Sequence, residues 1–546
     1  MDTRKYLEGK GYDGYKFFGN HKKTNNSYIF RILAPNAKNV YIIGDFNSWS
    51  EEKLRKYSTG VFSKTIKNVK EFDKYLYVIE NENGKKYYKL DPYAILIDKE
   101  NENSIVYDKS YKFSYNYKNK KNLNIYQMSA KNFDGKIFED EKNMDKFIRY
   151  LKENNFTHID FMPIFANRLK EDFSYGSSFY FSINENYIEI EKIKLFIDLC
   201  HKNKIGIIFE IDISSFDPFE KYLNKFDGSN MYNYDYDDIL YNYSGLINID
   251  PTKNLAKSFI LSFVTYLIKE FNVDGIAIAN LENLIFWQGD KSRGYNENWL
   301  GFIRNINAYI NDLNKISIGF YNSIWENDIK EDLEFDLIYD RTLAKLIKIN
   351  QKNPFERANY SYIVKNIIEN DYKNYILGFN YFDSLSEGAS LSMKMNSNDK
   401  KYEQLKTLFL LVYTLNSNKM IFSSDEFGSL ETFNFDKKIN IFKQNESEKD
   451  FNEFYKKLSD FYIRNKNLYE NESKTKIFEI EGYSLYAFKR IYKNEEYLVI
   501  INLTDLEYKI DLSEKIEKIL TSYNENYHSK NKLYIPAFGS GIFKIK

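Results

Sequence analysis

The middle of the chain, from about residue 113 to residue 445, alternates short apolar runs with amphipathic stretches. Short apolar runs are typical of buried strands, whereas apolar residues that recur every three or four positions indicate helices. The segment 254–271, for example, places Phe259, Phe263 and Tyr266 on one helical face. The runs predicted to be strands are NIYQM (124–128), HIDFMPI (158–164), IGIIFEIDI (205–213), GIAIA (275–279), KISIGFY (315–321), DLIYD (336–340), YILGFNY (375–381) and KMIFSS (419–424). Eight strand-then-helix units predict a (β/α)8 barrel rather than an open sheet.

Both ends of the chain follow a different pattern, in which short strand-like segments are separated by turn residues. Examples are SYIFRILAP (27–35) near the start and EYLVIINLT (496–504) near the end. Many short strands with regular turns favour β-sandwiches. We therefore expect an α/β fold: a TIM barrel at residues 113–445, an all-β sandwich at 1–112, and a second all-β sandwich at 446–546 that is preceded by a helix.

Composition excludes several classes of partner. Lys and Arg number 78, and so do Asp and Glu, so the formal net charge is zero; a nucleic-acid or anionic-membrane partner would favour a basic excess. The single cysteine, Cys200, cannot form an internal disulfide, which together with the absence of an apolar leader predicts a cytoplasmic location. The four histidines lack metal-ligand spacing, so we expect no metal site and no cofactor.

Several strings resemble known families. APNAKNVYIIGDFNSW (34–49), followed by DPYA (91–94), resembles a carbohydrate-binding module of family 48. FTHIDFMPIF (156–165), FNVDGIAIANLENLIF (271–286) and MIFSSDEFG (420–428) resemble the 1,4-α-glucan (glycogen) branching enzymes of glycoside hydrolase family 13. The resemblance implies an α-amylase-like barrel, a place in glycogen biosynthesis and carbohydrate metabolism, and an α-glucan such as glycogen as the ligand.

The same resemblance implies that the catalytic residues are replaced. Family 13 enzymes use a carboxylate nucleophile, a carboxylic acid and a third carboxylate at the C-terminal ends of barrel strands. The matching positions are Ala279 for the nucleophile, Phe320 for the acid and Phe382 for the third carboxylate, with Asp383 one residue along as a weaker candidate. Loss of such a nucleophile costs on the order of 10⁶ in turnover. We therefore expect a pseudoenzyme, with the rings of Phe320 and Phe382 filling the barrel mouth.

Two aromatic residues are candidates for binding sugar. Tyr175 matches a tyrosine that lines the sugar site of the family, and Trp49 could stack on a sugar ring. The alternatives are simple packing for Tyr175 and a buried sandwich position for Trp49. On the third predicted strand, Glu210 and Ser215 occupy the places of the family's aspartate and histidine.

Three hypotheses about function stay open. The first is a non-catalytic protein that binds α-glucan, or a partner such as an active branching enzyme or another glycogen-metabolism protein. The second is an active branching enzyme, or a related α-glucan transglycosylase or hydrolase, that uses non-standard carboxylates such as Asp212, Glu282 or Asp383; Asp212 and Glu282 are more simply packing or surface residues. The third is a scaffold subunit without affinity for glucan.

Overall fold

The computed structural model describes most of the chain. The described residues are 2–98, 100, 102–133, 135–168, 175, 179–321, 332–397, 399–434, 436–480, 482–523 and 532–546. Among them, no helix is long and apolar enough to cross a membrane.

Eight parallel strands form a closed barrel at the centre of the molecule. The first strand pairs with the eighth, with Ile125 beside Met420, so the ring has no free edge. Each strand is a continuous apolar run because one side faces the barrel interior and the other faces the surrounding helices. The prediction of a (β/α)8 barrel is confirmed. In chain order the barrel strands are Asn124–Met128, His158–Phe161, Gly206–Ile211, Gly275–Ile278, Ile316–Phe320, Leu337–Tyr339, Tyr375–Phe379 and Asn418–Phe422.

Amphipathic helices cover the outside of the barrel and bury their apolar faces against it. The final helix, Glu446–Arg464, packs on the barrel: the Tyr455 hydroxyl contacts that of Tyr413 at 2.8 Å and accepts from the Asn124 amide at 3.2 Å. The limits 112 and 445 for the three domains stay predictions. The longer helices are Glu141–Glu153, Ile190–Lys202, Asn254–Glu270, Glu297–Asp312, Leu343–Asn350, Ser361–Glu369, Lys401–Thr414 and Glu446–Arg464, and the short ones are Thr3–Leu7, Asp237–Leu240, Glu282–Ile285 and Tyr381–Leu385.

The N-terminal region forms two antiparallel sheets over a shared apolar core. It docks on the barrel through the segment that follows the third barrel strand: the Lys89 ammonium donates to the Glu220 and Asn224 carbonyls. One sheet contains Gly19–Thr24, Ser27–Leu33, Val61–Lys67 and Arg55–Lys56; the other contains Glu52–Lys53, Asn39–Gly44, Lys74–Glu80, Lys86–Lys89, Asn103–Ile105 and Leu96–Asp98.

The C-terminal region is also made of strands. Its two sheets share a core that includes Leu498, Ile535 and Phe543. Arg357 ties this region to the barrel, donating to the Leu503 carbonyl at 2.9 Å and to Gln404 at 2.6 Å. One sheet contains Lys474–Ile477, Leu485–Tyr492, Glu495–Asn502, Ser540–Ile545 and Ile516–Thr521; the other contains Tyr508–Asp511 and Lys532–Ile535.

A buried charge cluster stabilises the N-terminal end of the barrel. Asp274, just before the fourth strand, accepts from His201 Nε2 at 2.8 Å and from the Ile207 amide at 2.9 Å, and pairs with Lys315 at 3.1 Å. Burial would raise the pKa of Asp274, but the hydrogen bond from His201 and the nearby positive charge outweigh it, so the pKa is lowered. This end of the barrel serves stability, since sites belong to the opposite end.

Replacing Asp274 should therefore destabilise the fold. Asp274→Asn leaves the buried His201 and the partly buried Lys315 without their anion, which we expect to cost about 3 kcal/mol at pH 7. Because the folded pKa lies below the unfolded value of about 3.9, the stabilisation is complete above that value and is lost as the pH falls through the folded pKa. Urea unfolding at pH 7 and at pH 3 measures both effects, and the gap between variant and parent should shrink at pH 3. Asp312→Asn, at an exposed helix end, is the control; equal stability of the two variants at pH 7 would contradict this account.

Candidate functional site

The C-terminal ends of the barrel strands meet at a nearly closed mouth. The cavity there has a volume of about 10 Å³, and a single water needs at least about 10–15 Å³. A sugar ring does not fit. The cavity is lined by Gln127, Tyr175, Glu210, Ala279, Asn280, Phe320, Tyr321, Tyr339, Asn380 and Tyr381.

Two of the three predicted catalytic positions lie together in this mouth. Ala279 follows the fourth strand, and its amide donates to the Ile211 carbonyl at 2.8 Å. Phe320 ends the fifth strand, and its ring packs edge-on against Tyr339 with the centroids 5.2 Å apart. Both side chains are buried. Neither a methyl group nor a phenyl ring can attack carbon or transfer a proton.

Tyr175 is engaged by the protein's own residues. Its hydroxyl donates to Glu210 Oε1 at 2.7 Å. Its ring stacks on Tyr381, with the centroids 5.8 Å apart and the planes inclined by 24°. Tyr175 thus holds a carboxyl group of the third strand and covers the mouth from above.

Beneath Tyr175 lies a pair of buried carboxyl groups. Gln127 Nε2 donates to Asp160 Oδ2 and to Glu210 Oε2, each at 3.2 Å, and Gln127 Oε1 accepts from the Tyr381 amide at 2.9 Å. Burial raises the pKa of both carboxyls, and the nearby Asp160 raises the pKa of Glu210 further. Because two close carboxylates in an apolar interior cannot easily both ionise, the pair favours holding a proton.

Phe382 does not fill the mouth, so that prediction is wrong. Its ring lies outside the mouth, is 42% exposed, and packs under the Arg341 guanidinium at 4.5 Å. The cause is a capping box: Asn380 Oδ1 accepts from the Phe382 and Asp383 amides, and the Asp383 carboxylate accepts from the Asn380 amide. A helix therefore begins at Tyr381, which turns Tyr381 into the mouth and Phe382 away from it. The spacing Asn380-x-x-Asp383 was the sequence signal for this turn.

Asp383, the weaker candidate for the third carboxylate, has structural partners. Its Oδ1 pairs with Arg341 at 3.2 Å, and its Oδ2 accepts from the Asn380 amide at 3.2 Å and lies 3.4 Å from the Tyr339 hydroxyl. It is buried, and this burial raises its pKa despite the charge of Arg341. Asp383 therefore caps a helix and pairs with an arginine behind the mouth.

The other two candidate carboxylates also lie outside the group that lines the mouth. Asp212 accepts from the Ser214 amide at 2.8 Å, the Ser214 hydroxyl at 2.6 Å and Asn280 at 2.7 Å. Burial raises the pKa of Asp212 to about 6. Glu282 is half-buried at the first turn of the short helix Glu282–Ile285. Ser215, at the place of the family's histidine, is buried in a two-residue strand.

Sequence reasoning missed two members of the site, Gln127 and Asp160. Each is a polar residue inside an otherwise apolar strand. Such residues are almost never fully buried without partners. That conflict between residue type and predicted burial was the available signal, and it marks the layer of the barrel just below the mouth.

Trp49 belongs to the N-terminal region, outside the barrel, and its side chain is partly open to solvent. It follows the turn Asp45–Asn47 of the N-terminal region, and its side chain is 39% exposed. The indole Nε1 donates to Asp45 Oδ1 at 3.1 Å, which fixes the ring. The alternative of a buried sandwich tryptophan is wrong.

Family models match both ends of the chain. Residues 17–94 match Carbohydrate-binding module 48 (Isoamylase N-terminal domain), and residues 485–542 match the Alpha-amylase SusG C-terminal domain. Trp49 lies within the first match. The predicted module of family 48 is therefore confirmed.

Curated relatives match along almost the whole chain. It is 28% identical over 560 residues to the 1,4-alpha-glucan branching enzyme GlgB 2 of Clostridium perfringens (strain SM101 / Type A), covering 91% of this chain and 84% of the relative. It is 25% identical over 620 residues to the branching enzyme GlgB of Bacillus cytotoxicus, covering 98% and 93%.

Solved structures agree on the fold. Pullulanase complexed with maltotetraose from Anoxybacillus sp. LM18-11 has a TM-score of 0.75 at 14% identity, covering 100% of this chain and 89% of that one. Pullulanase from Bacillus acidopullulyticus has a TM-score of 0.76 at 15% identity, covering 99% and 76%. Along most of its length the chain is therefore similar to the 1,4-alpha-glucan branching enzymes, and it combines a match to carbohydrate-binding module 48 with the amylase-like barrel fold of the pullulanases.

Proposed function

We propose that this chain is a cytoplasmic α-glucan-binding protein that has lost the catalysis of its branching-enzyme relatives. The observation that carries the proposal is the closed barrel mouth, with a cavity of about 10 Å³. A protein that holds glycogen without cleaving it would serve by bringing an active enzyme of glycogen metabolism to its substrate.

The chemistry at the mouth supports the loss of catalysis. A retaining enzyme needs two carboxyl groups about 5–5.5 Å apart, one on each side of a bound glycosidic bond. Ala279 and Phe320 supply none, and Asp383 is held by Arg341. The Tyr175 hydroxyl, which donates to Glu210 at 2.7 Å, is not free to meet a sugar. Among the residues that the structure describes, the positions matched to the nucleophile and the acid therefore carry no carboxyl group, and the cavity between them is too small for a sugar ring.

Glucan binding by the N-terminal region is supported by its match to a carbohydrate-binding module and by Trp49. The half-exposed indole presents a flat apolar surface, and the bond to Asp45 holds it in one orientation. A ring that is already fixed loses little conformational entropy when it binds a ligand. Trp49 is therefore the proposed stacking surface for the sugar.

The second candidate function is an active enzyme that uses Asp160 and Glu210. Asp160 Oδ2 and Glu210 Oε2 each lie 3.2 Å from the same Gln127 nitrogen. The distance between these two oxygens is therefore less than twice 3.2 Å. That spacing is compatible with a retaining pair. Asp160 is fully buried beneath the mouth, however, so this function requires Tyr175 and Tyr381 to move aside. The closed mouth favours the first proposal.

Mutation of Trp49 tests the binding proposal. Trp49→Ala should weaken maltoheptaose binding about tenfold or more, since loss of an aromatic contact and its buried area costs more than about 1.4 kcal/mol. Isothermal titration of the full chain measures the affinity. Tyr57→Ala, at an exposed tyrosine beside the other sheet of the same region, is the control, and Tyr175→Phe should leave affinity unchanged. If Tyr175→Phe abolishes binding while Trp49→Ala has no effect, the mouth is the sugar site and the proposal fails.

An activity assay separates the two candidate functions. The purified chain should neither change the iodine-stained spectrum of amylose nor release reducing sugar from starch, because a missing nucleophile costs on the order of 10⁶ in rate. Clear activity in the parent would contradict the first proposal. If Asp160→Asn and Glu210→Gln then removed that activity while Asp312→Asn kept it, the second candidate function would replace the first.

A further inference from the structure

A groove with a volume of about 510 Å³ lies outside the closed mouth, between the segments that follow the sixth and seventh barrel strands. This size is within the usual range for a small-molecule site, about 300–1,000 Å³. Its walls carry both cations and an aromatic ring: Arg341, Lys345, Lys348, Lys394 and Phe382. The cavity of the barrel mouth, by comparison, has a volume of only about 10 Å³.

Two lysines on one helix supply positive charge that is free to meet a ligand. Lys345 and Lys348 are exposed on helix Leu343–Asn350 and lie three residues apart, so both point from the same face. Within the described part of the chain, neither forms a salt bridge. Lysines on other barrel helices do have acidic partners, for example Lys192 with Glu189 and Lys406 with Asp450. A close, unpaired pair at the wall of a groove suits an anionic ligand.

The remaining cations are bound within the protein. Arg341 pairs with the buried Asp383 at 3.2 Å. The Lys394 ammonium donates to the Asp383 carbonyl and, at 2.8 Å, to the Ser386 hydroxyl. The one exposed carboxylate of the groove, Glu387, accepts from Gln351 at 2.5 Å. A neutral amide does not cancel the charge of Glu387, but the two lysines outnumber this carboxylate, so the exposed side chains of the groove are net positive.

Phe382 supplies a flat surface in the same groove. Its ring is 42% exposed, and the guanidinium of Arg341 lies 4.5 Å from its centroid. Arg341 is held by Asp383, so the ring and the guanidinium form a fixed stack. Planar rings bind by offset stacking on such surfaces.

We propose that this groove binds an organic diphosphate or triphosphate that carries a flat ring, the nucleotide class. The ring stacks on Phe382, and the phosphate oxygens accept hydrogen bonds from Lys345 and Lys348. A neutral glucan would leave both ammonium groups without a counter-charge, so it fits the groove less well. This ligand is distinct from the glucan that we assign to Trp49.

Calorimetric titration of the full chain with ADP, inorganic pyrophosphate and adenosine tests the proposal. ADP should bind more tightly than pyrophosphate, and adenosine should bind weakest. The double variant Lys345→Ala/Lys348→Ala should weaken ADP at least about tenfold, because charge-assisted hydrogen bonds to phosphate are strong. Phe382→Ala should weaken ADP but leave pyrophosphate unchanged.

The control is Lys449→Ala/Lys457→Ala, which removes two exposed lysines from helix Glu446–Arg464 and should leave ADP affinity unchanged. Absence of ADP binding at millimolar concentration would overturn the proposal, and so would equal losses in the groove and control variants. Pyrophosphate binding as tight as ADP, with no effect of Phe382→Ala, would show a bare phosphate site and overturn the nucleotide assignment. Thermal unfolding of each variant checks that the fold is kept.

Discussion

Closure of the eight-stranded barrel brings the carboxyl ends of its strands into one small ring, and every property of the mouth depends on that geometry. Side chains at or just past the ends of the first, third, fourth, fifth, sixth and seventh strands meet there across a cavity of about 10 Å³. Such a ring must be filled, either by a ligand and the groups that hold it or by the protein's own side chains. Here Phe320, Tyr175 and Tyr381 fill it: Tyr175 stacks on Tyr381 and donates to Glu210, and Phe320 packs against Tyr339.

The two ends of the barrel therefore differ in the polar groups that they carry. At the N-terminal end, Asp274 keeps its bonds to His201 and Lys315. At the C-terminal end, Ala279 and Phe320 stand where the family resemblance places a nucleophile and an acid. Similarity to the branching enzymes along almost the whole chain reflects the shared barrel and flanking domains. The chemistry of the mouth depends on the residues that line it.

The fold was predictable because continuous apolar runs at strand length, alternating with helical periodicity, leave few alternatives to a barrel. The mouth was only partly predictable. Ala279 directly follows the fourth strand and Phe320 ends the fifth, so their direction follows from strand geometry. Phe382 and Asp383 lie past the end of the seventh strand, where the capping box of Asn380 decides which side chains point inward. The register of a strand does not predict where side chains point in the turn that follows it. The spacing of Asn380 and Asp383, which is typical of a capping box, was nevertheless present in the sequence.

Buried polar residues were the other limit. Gln127, Asp160 and Glu210 form a network that links three neighbouring strands. Their proximity depends on which strands pair and on the stagger between them, and neither follows from a single strand's pattern. The network also explains how carboxyl groups persist beneath the mouth: Gln127 donates to both, and burial raises the pKa of each, which favours the neutral form that is easier to bury.

The central claim is that the protein's own side chains occupy the barrel mouth and exclude sugar from it. A crystal structure of the full chain grown with maltoheptaose tests this claim most directly. The account predicts sugar density against Trp49 and an intact bond between Tyr175 and Glu210. Sugar density between Ala279 and Phe320, with Tyr175 displaced from Glu210, would contradict it.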